Sequence, residues 1–299
     1  MLSVYRSNRA EWLAALIAEQ LKVEPPHPFE NVEIVVHTWG TSRWLSEQLA
    51  CVNDIKAQIE FPFPRAYLKT TVQKLLNIKE DDDPWKAKKL VWPIVDQLPK
   101  FVETDNCVYL KEWIENQNRI PNQLNKCEWQ LARRIADIFD DYILYRPELV
   151  TNWLQTPEKD FALSLSQLAS HLKWQPKLLR LLAEEISEEP FCIQIKKAIE
   201  RIKNGEIPNK VLPGQIIFFG ISKLAPIQVD LIQAISKITT IKLFLITPCP
   251  ELWKQLRINN DLLIKEYKAS EQFHWSLDSP RLESSLGRMG AEFQQLLEG

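Results

Sequence analysis

Four short apolar runs punctuate the chain: Leu2 to Tyr5, Val32 to His37, Gln215 to Phe219 and Ile241 to Ile246. None has the apolar-polar alternation of a strand with one wet face, so all four read as strands buried on both sides. Helical spacing follows directly on the first three. Leu13, Leu16, Ile17 and Leu21 recur after an Asn8 cap, Trp44, Leu45 and Leu49 after a cap at Thr41 or Ser42, and Ile227, Leu231, Ile232 and Ile235 after Pro226. Strand-helix units with two-sided strands predict an α/β fold built on a parallel sheet with helices on both faces.

From about Pro62 to Pro213 the pattern changes, because no strand candidate appears and helical spacing dominates. The clearest helix is EWQLARRIADIFDDYILYRP, in which Leu131, Ile135, Ile138, Phe139, Tyr142 and Ile143 form an apolar stripe that Pro147 ends. Further helices are expected over Lys86 to Leu98, Val108 to Gln117, Ala162 to Leu172, Pro176 to Ile186 and Cys192 to Lys203. The acidic run Glu80 to Pro84 and the stretch Gly205 to Asn209 read as exposed connections. After Ile246, Thr247-Pro248-Cys249-Pro250 breaks the last strand, and the polar remainder holds one amphipathic helix near Leu286 to Leu297. Four parallel strands and a tail without a closing strand suggest the front part of something longer.

Composition sharpens this picture. A length of 299 residues exceeds what one core usually supports, and 45% hydrophobic with 25% charged residues marks a folded chain. Seven glycines argue against a turn-rich β fold, and eleven tryptophans offer aromatic surface for helix packing or for stacking on bases. With a net charge of −2, any contact with nucleic acid must come from a local lining and not from a global field. Cys51, Cys107, Cys127, Cys192 and Cys249 are odd in number and widely spaced, which fits neither a disulfide framework nor a zinc site and suits a reducing cytoplasm. Arg6, Arg9 and Glu11 interrupt the place of a signal peptide, and no run of eighteen apolar residues occurs, so neither export nor membrane insertion is expected.

Catalytic chemistry finds little purchase on the loops. A phosphate-binding loop uses glycines to wrap the phosphate, a lysine to reach it and a hydroxyl for magnesium. Ser7-Asn8-Arg9-Ala10 after the first strand has no glycine and no lysine, and Ser7 and Asn8 suit helix capping. The third strand ends in Gly220-Ile221-Ser222, where an ATPase would carry carboxylates for magnesium. ATP hydrolysis is therefore not expected, and no triad, nucleophile elbow, HxxxH spacing or nuclease-like cluster appears. No catalytic residue, metal ligand or cofactor is assigned.

Two places offer binding chemistry. At the end of the second strand His37, Thr38, Trp39, Thr41, Ser42 and Arg43 combine hydroxyls at a helix start with an aromatic ring. They suit a phosphate and a stacked base, or equally a capped helix with a core tryptophan. On the long helix Arg133, Arg134, Asp137, Asp140 and Asp141 form a polar face with Arg146 beyond it. Arg133 and Asp137 at i,i+4 fit a surface ion pair. The like charges one turn apart also fit carboxylates accepting from cytosine or guanine amino groups, or an incomplete two-carboxylate metal site.

The segments MLSVYRSNRAEWL, FPFPRAY, DIFDDYILYRPELVTNW, IIFFGISKLAPIQVDLIQAISK, LFLITPCPELW and SPRLESSLGRMGAEF resemble, in order and along the whole chain, the N-terminal quarter to third of the RecC family. These are the gamma subunits of exodeoxyribonuclease V, the RecBCD helicase-nuclease. The resemblance implies an inactive, superfamily 1 helicase-like RecA domain formed by residues 1–62 and 214–250. It also implies an all-helical insertion at 63–213 and a helical connection at 251–299 toward further domains. It further implies partners of the RecB and RecD type, a duplex end, and a 3′-ended single strand threaded past a Chi-reading surface, all in the cytoplasm. Carried over by motif, the DNA-binding positions are His37, Trp39, Arg43, Phe63, Lys69, Asp137, Ile138, Asp140 and Arg146. The best-known members have glutamines at the positions of His37 and Arg43 and a tryptophan at that of Lys69. The expected function is a non-catalytic DNA-guiding and scaffold subunit in double-strand break repair by recombination. The alternatives are an active helicase domain with unusual motifs and a helical scaffold that touches only protein.

Overall fold

The computed structural model describes residues 1–25, 31–53, 59–79, 83–103, 107–118, 126–208, 211–247, 290, 293, 296 and 297. These form two compact units, Met1–Leu75 with Ile199–Gly299, and Leu76–Ala198. The expected connections at Glu80 to Asp82 and at Asn209, the break at Pro248 to Pro250, and nearly all of the tail lie outside the described residues.

The first unit is built on five parallel strands: β1 (Leu2–Ser7), β2 (Val32–Val36), β3 (Ile59–Glu60), β4 (Gln215–Phe219) and β5 (Thr240–Ile246), in the order β1-β5-β4-β2-β3. The four expected strands are present, and β3 is a correction to the four-stranded sheet. It pairs Val32 with Ile59 and Glu33 with Glu60, and the Val36 N–H extends the pairing by donating to the Pro62 carbonyl at 3.1 Å. β1 also runs on to Ser7, because every residue from Leu2 onward finds a partner on β5.

Helices α1 (Ala10–Val23) and α2 (Trp39–Asn53) follow β1 and β2. Leu13, Ile17 and Leu21 of α1 and Leu45 and Leu49 of α2 share one buried cluster with Val32, Ile34, Val36, Ile217, Phe219 and Phe244. Strand residues of the opposite parity, among them Val35, Ile216, Phe218, Leu243 and Leu245, are equally buried and point to the other face. There Tyr67 of α3 (Pro64–Leu76) meets Phe218 edge to face at 6.3 Å. The step from β1 to β2 and the step from β4 to β5 run in opposite directions across the sheet. Right-handed crossovers therefore place α1 and the helix after β4 on opposite faces.

Caps differ from expectation at two places. Arg9, not Asn8, is the N-cap of α1, and Ser7 Oγ accepts from the Arg9 N–H at 3.0 Å. At α2 Thr38 precedes the helix, and its Oγ1 accepts from the Thr41 N–H at 3.1 Å.

The second unit is helical in its described residues. It contains α4 (Ala87–Val102), α5 (Val108–Asn118), α6 (Lys126–Tyr145), α7 (Pro147–Gln155), α8 (Glu158–Ser166), a 3-10 turn at Ser170–Leu172, α9 (Trp174–Glu185) and the start of α10 (Phe191–Lys203). The helix expected over Ala162 to Leu172 is thus α8 plus that turn, while α3 and α7 are additional. Both additional helices begin with proline as the first residue, where the missing N–H costs nothing. α6 packs on α4, α5 and α7. Leu131, Ile135, Phe139 and Ile143 are buried, whereas Ile138, expected in the stripe, is 41% exposed. At about 100° per residue it stands a quarter turn or more from Phe139. In the first unit, α11 (Pro226–Ile235) follows β4 as expected, and Gly290, Phe293, Leu296 and Leu297 are helical within the expected terminal helix.

Candidate nucleic-acid interface

Parallel strands bring their carboxyl ends to one edge. Neighbours β2 and β4 leave that edge for helices on opposite faces, which is where α/β sheets open a crevice. Two residues, His37 and Thr38, connect β2 to α2, and Gly220 to Ala225 connect β4 to α11. These connections are close: a Cβ on Gly220 would stand 3.9 Å from Thr41 Cγ2 and 3.8 Å from Ile246 Cδ1. Gly220 has φ +64°, a left-handed conformation that glycine adopts without strain, and its N–H donates to the Phe244 carbonyl at 2.9 Å.

Trp39, the first residue of α2, is 75% exposed, so it is not the core tryptophan that capping alone would suggest. Its ring stands edge-on to Phe63 at 5.1 Å and 87°. Phe63 itself is half-buried just before α3, where its carbonyl accepts from the Tyr67 N–H. The structure thus brings together Trp39 and Phe63, two of the carried-over positions, with the hydroxyls of Thr38 and Thr41 2.9 Å apart beside them. His37 is exposed. Arg43 is fully presented to solvent on α2 and reaches Glu47 at 3.3 Å, a pair that water and salt weaken. Lys69 lies half-buried on α3, six residues beyond Phe63.

The phosphate loop is filled otherwise. The Ser7 carbonyl accepts from the Thr247 N–H, and the Arg9 guanidinium lies over the Trp12 ring at 4.8 Å. Below the sheet's interior, the Tyr67 phenol is pushed well above its usual range, by burial first and then by the charge and hydrogen bond of Glu33. Sequence reading missed that contact, which joins β2 to α3.

In the second unit Asp137 and Ile138 point outward from α6, and Arg133 Nε approaches Asp137 Oδ2 at 3.4 Å. The ion-pair reading of that face is therefore realised. Asp140 is half-buried one turn on. Arg146 is the single residue between α6 and α7. Its N–H donates to the Tyr142 carbonyl, its own carbonyl accepts from Val150, and its side chain is exposed. Among the described residues no group of three or more His, Cys, Asp or Glu is placed to hold a metal ion. None of their helices is long and apolar enough to cross a membrane.

Comparisons with known proteins point one way. The chain is 26% identical over 294 residues to the RecBCD enzyme subunit RecC of Haemophilus influenzae, a match covering 92% of this chain and 26% of that protein. It is 28% identical to RecC of Mycolicibacterium smegmatis over 99% of this chain and 25% of that protein. It is 26% identical to RecC of Escherichia coli K12 over 86% of this chain and 22% of that protein. The chain spans about a quarter of the length of these relatives. The family model described as RecC, N-terminal domain, matches residues 2–299, and the chain belongs to the RecC family.

Proposed function

We propose that the chain is a non-catalytic module of a RecBCD-type exodeoxyribonuclease V, guiding the 3′-ended single strand away from a duplex end and contributing to Chi recognition during double-strand break repair. In this reading the parallel sheet is a RecA-like helicase domain of residues 1–62 and 214–250. Residues 63–213 are its helical insertion and 251–299 lead onward. RecB-type and RecD-type motors in the cytoplasm are its partners.

One observation carries the reading. At the carboxyl edge of the sheet, where a motor would grip nucleotide, the loop after β1 holds no lysine and the loop after β4 holds no carboxylate, while Trp39 stands exposed against Phe63. An exposed ring beside threonine hydroxyls and Arg43 suits a base and its phosphate better than it suits ATP. In the same unit His37 and Lys69 add cationic or polar reach, and in the helical unit Arg146 offers a separate cation. Asp137, Ile138 and Asp140 offer acceptors and an apolar contact for base edges.

The test is reconstitution. RecB and RecD from the same organism are given a blunt duplex and ATP, with and without the RecC-family subunit that carries this chain. Processive unwinding only with the subunit is expected; equal activity without it overturns the proposal. Calorimetry should detect no ATP binding by the chain, and magnesium-dependent micromolar affinity would instead reveal a working motor domain.

A further inference from the structure

The outer face of α4 carries chemistry that the carried-over positions do not use. Leu90, Val91, Ile94, Leu98 and Phe101 form its buried arc. The exposed residues within the helix fall on the opposite side, Lys88, Lys89, Trp92, Asp96, Pro99 and Lys100, with Lys86 and Glu103 exposed at its two caps. At about 100° per residue, Trp92 sits near the middle of that arc, with Lys88 and Lys89 one turn before it and Lys100 about 12 Å further along. Trp92 is 64% exposed, far more than a tryptophan in a packed helix. Four lysines against two acids make this helix face positive on a chain whose net charge is −2.

We infer that this face of α4 is a second contact for single-stranded DNA, in which Trp92 stacks on a base and Lys88 and Lys100 meet phosphates on either side. The charge selects the occupant. A lysine-rich rim around one flat aromatic is the pattern of sequence-tolerant single-strand binding, in which rings take base faces and cations track the backbone. An apolar protein partner would be met instead by a wider hydrophobic patch, and the neighbours of Trp92 on this face are charged or proline. The contact is unspecific by construction, since every base has a ring face and every nucleotide a phosphate. It deepens the proposed function and rests on it, because it gives the helical unit its own hold on a single strand.

The experiment uses the full chain with fluorescein-labelled oligothymidylate and, in parallel, a photoreactive 5-iodouracil oligonucleotide whose crosslinked peptides are mapped by mass spectrometry. Trp92→Ala should weaken binding by about 5- to 150-fold, and Trp92→Phe should restore most of it. Lys88→Ala with Lys100→Ala should lower the slope of log affinity against log salt by about 1.4, at 0.7 for each phosphate contact on a single strand. Circular dichroism of each variant should match the parent, because the changed side chains face solvent. Crosslinks at Trp92 support the inference. Crosslinks confined to the Trp39 or Asp137 regions, with unchanged affinity and salt slope in the variants, overturn it and leave the proposed function standing. Binding nowhere on the chain overturns both. Protection of Trp92 by a RecB-type or RecD-type subunit without DNA would make this face a protein contact and also overturn it.

Discussion

Trp39 and Trp44 lie five residues apart on α2 and face different environments, so truncating each to alanine separates binding from folding. Trp39 is 75% exposed, and its ring contact is the edge of Phe63 at 5.1 Å. Aromatic pairs contribute about 0.5–1.5 kcal/mol beyond burial, and so exposed a pair belongs at or below the lower end. Loss of a base-stacking platform costs about 1–3 kcal/mol per base, or about 5- to 150-fold in affinity. Trp39→Ala should therefore lower affinity for oligothymidylate strongly and move the melting temperature by no more than about 2 °C. Trp44 is half-buried, and its ring stacks on Phe219 of β4 at 5.9 Å within the cluster under α1 and α2. Trp44→Ala should cost about 3 kcal/mol, at the low end for a core aromatic, which lowers the melting temperature by about 6–12 °C. Fluorescence anisotropy and thermal melting on the same preparations decide between them. If Trp39→Ala melts as early as Trp44→Ala, or binds DNA within twofold of the parent, the interface is misassigned.

Three further outcomes follow from other parts of the chain. Trp85 is 1% exposed and donates from Nε1 to the Glu188 carbonyl at 2.7 Å. Trp85→Phe should cost about 1–3 kcal/mol for the unsatisfied carbonyl, and Trp85→Ala about 3–5 kcal/mol, both read by chemical denaturation. Replacing Asp137 or Asp140 by alanine should leave unwinding intact and impair any Chi response of the reconstituted enzyme; at Asp137 only an exposed pair, worth about 0.2–1 kcal/mol, is lost from stability. Equal loss of both activities would make this helix face structural. Burial pushes the Cys192 thiol up to about 12, while Cys51 is exposed, so alkylation at pH 8 followed by peptide mapping should label Cys51 and spare Cys192 until unfolding. The sign for stability is negative. Unfolded Cys192 releases its proton near pH 9 and the folded thiol near 12, so its contribution falls as pH rises through that window.

The sheet was legible because its strands are two-sided. Val32 to Val36 and Gln215 to Phe219 are continuous apolar runs, and a run buried on both faces leaves little choice but a covered parallel sheet. β3 was not legible, since two residues show no period and exist as a strand only through their pairing with Val32 and Glu33. α3 and α7 left a signal in the proline that opens each, and in Leu68, Val72 and Leu75 at helical spacing. Thr70 and Thr71 in the middle of α3 diluted it there, and α7 has only nine residues to show a period.

The candidate sites divide along the same physical line. Inside a helix exposure follows mostly from angle: the arc fixed by Leu90, Ile94, Leu98 and Phe101 puts Trp92 outward, whereas Ile138 of α6, at the edge of its apolar stripe, is exposed although Leu131 two turns earlier is buried. At a helix start no earlier turn defines an arc. Thr38, Thr41 and Ser42 offer three hydroxyls as caps, and the choice of Thr38 places Trp39 on the first turn, where it clears the sheet edge. A cap three residues later would leave Trp39 in the connection, with no helix to aim it. The orientation of the ring proposed to meet DNA thus depends on one local hydrogen bond, from the Thr41 N–H to Thr38 Oγ1, and on the two-residue length of the link from β2.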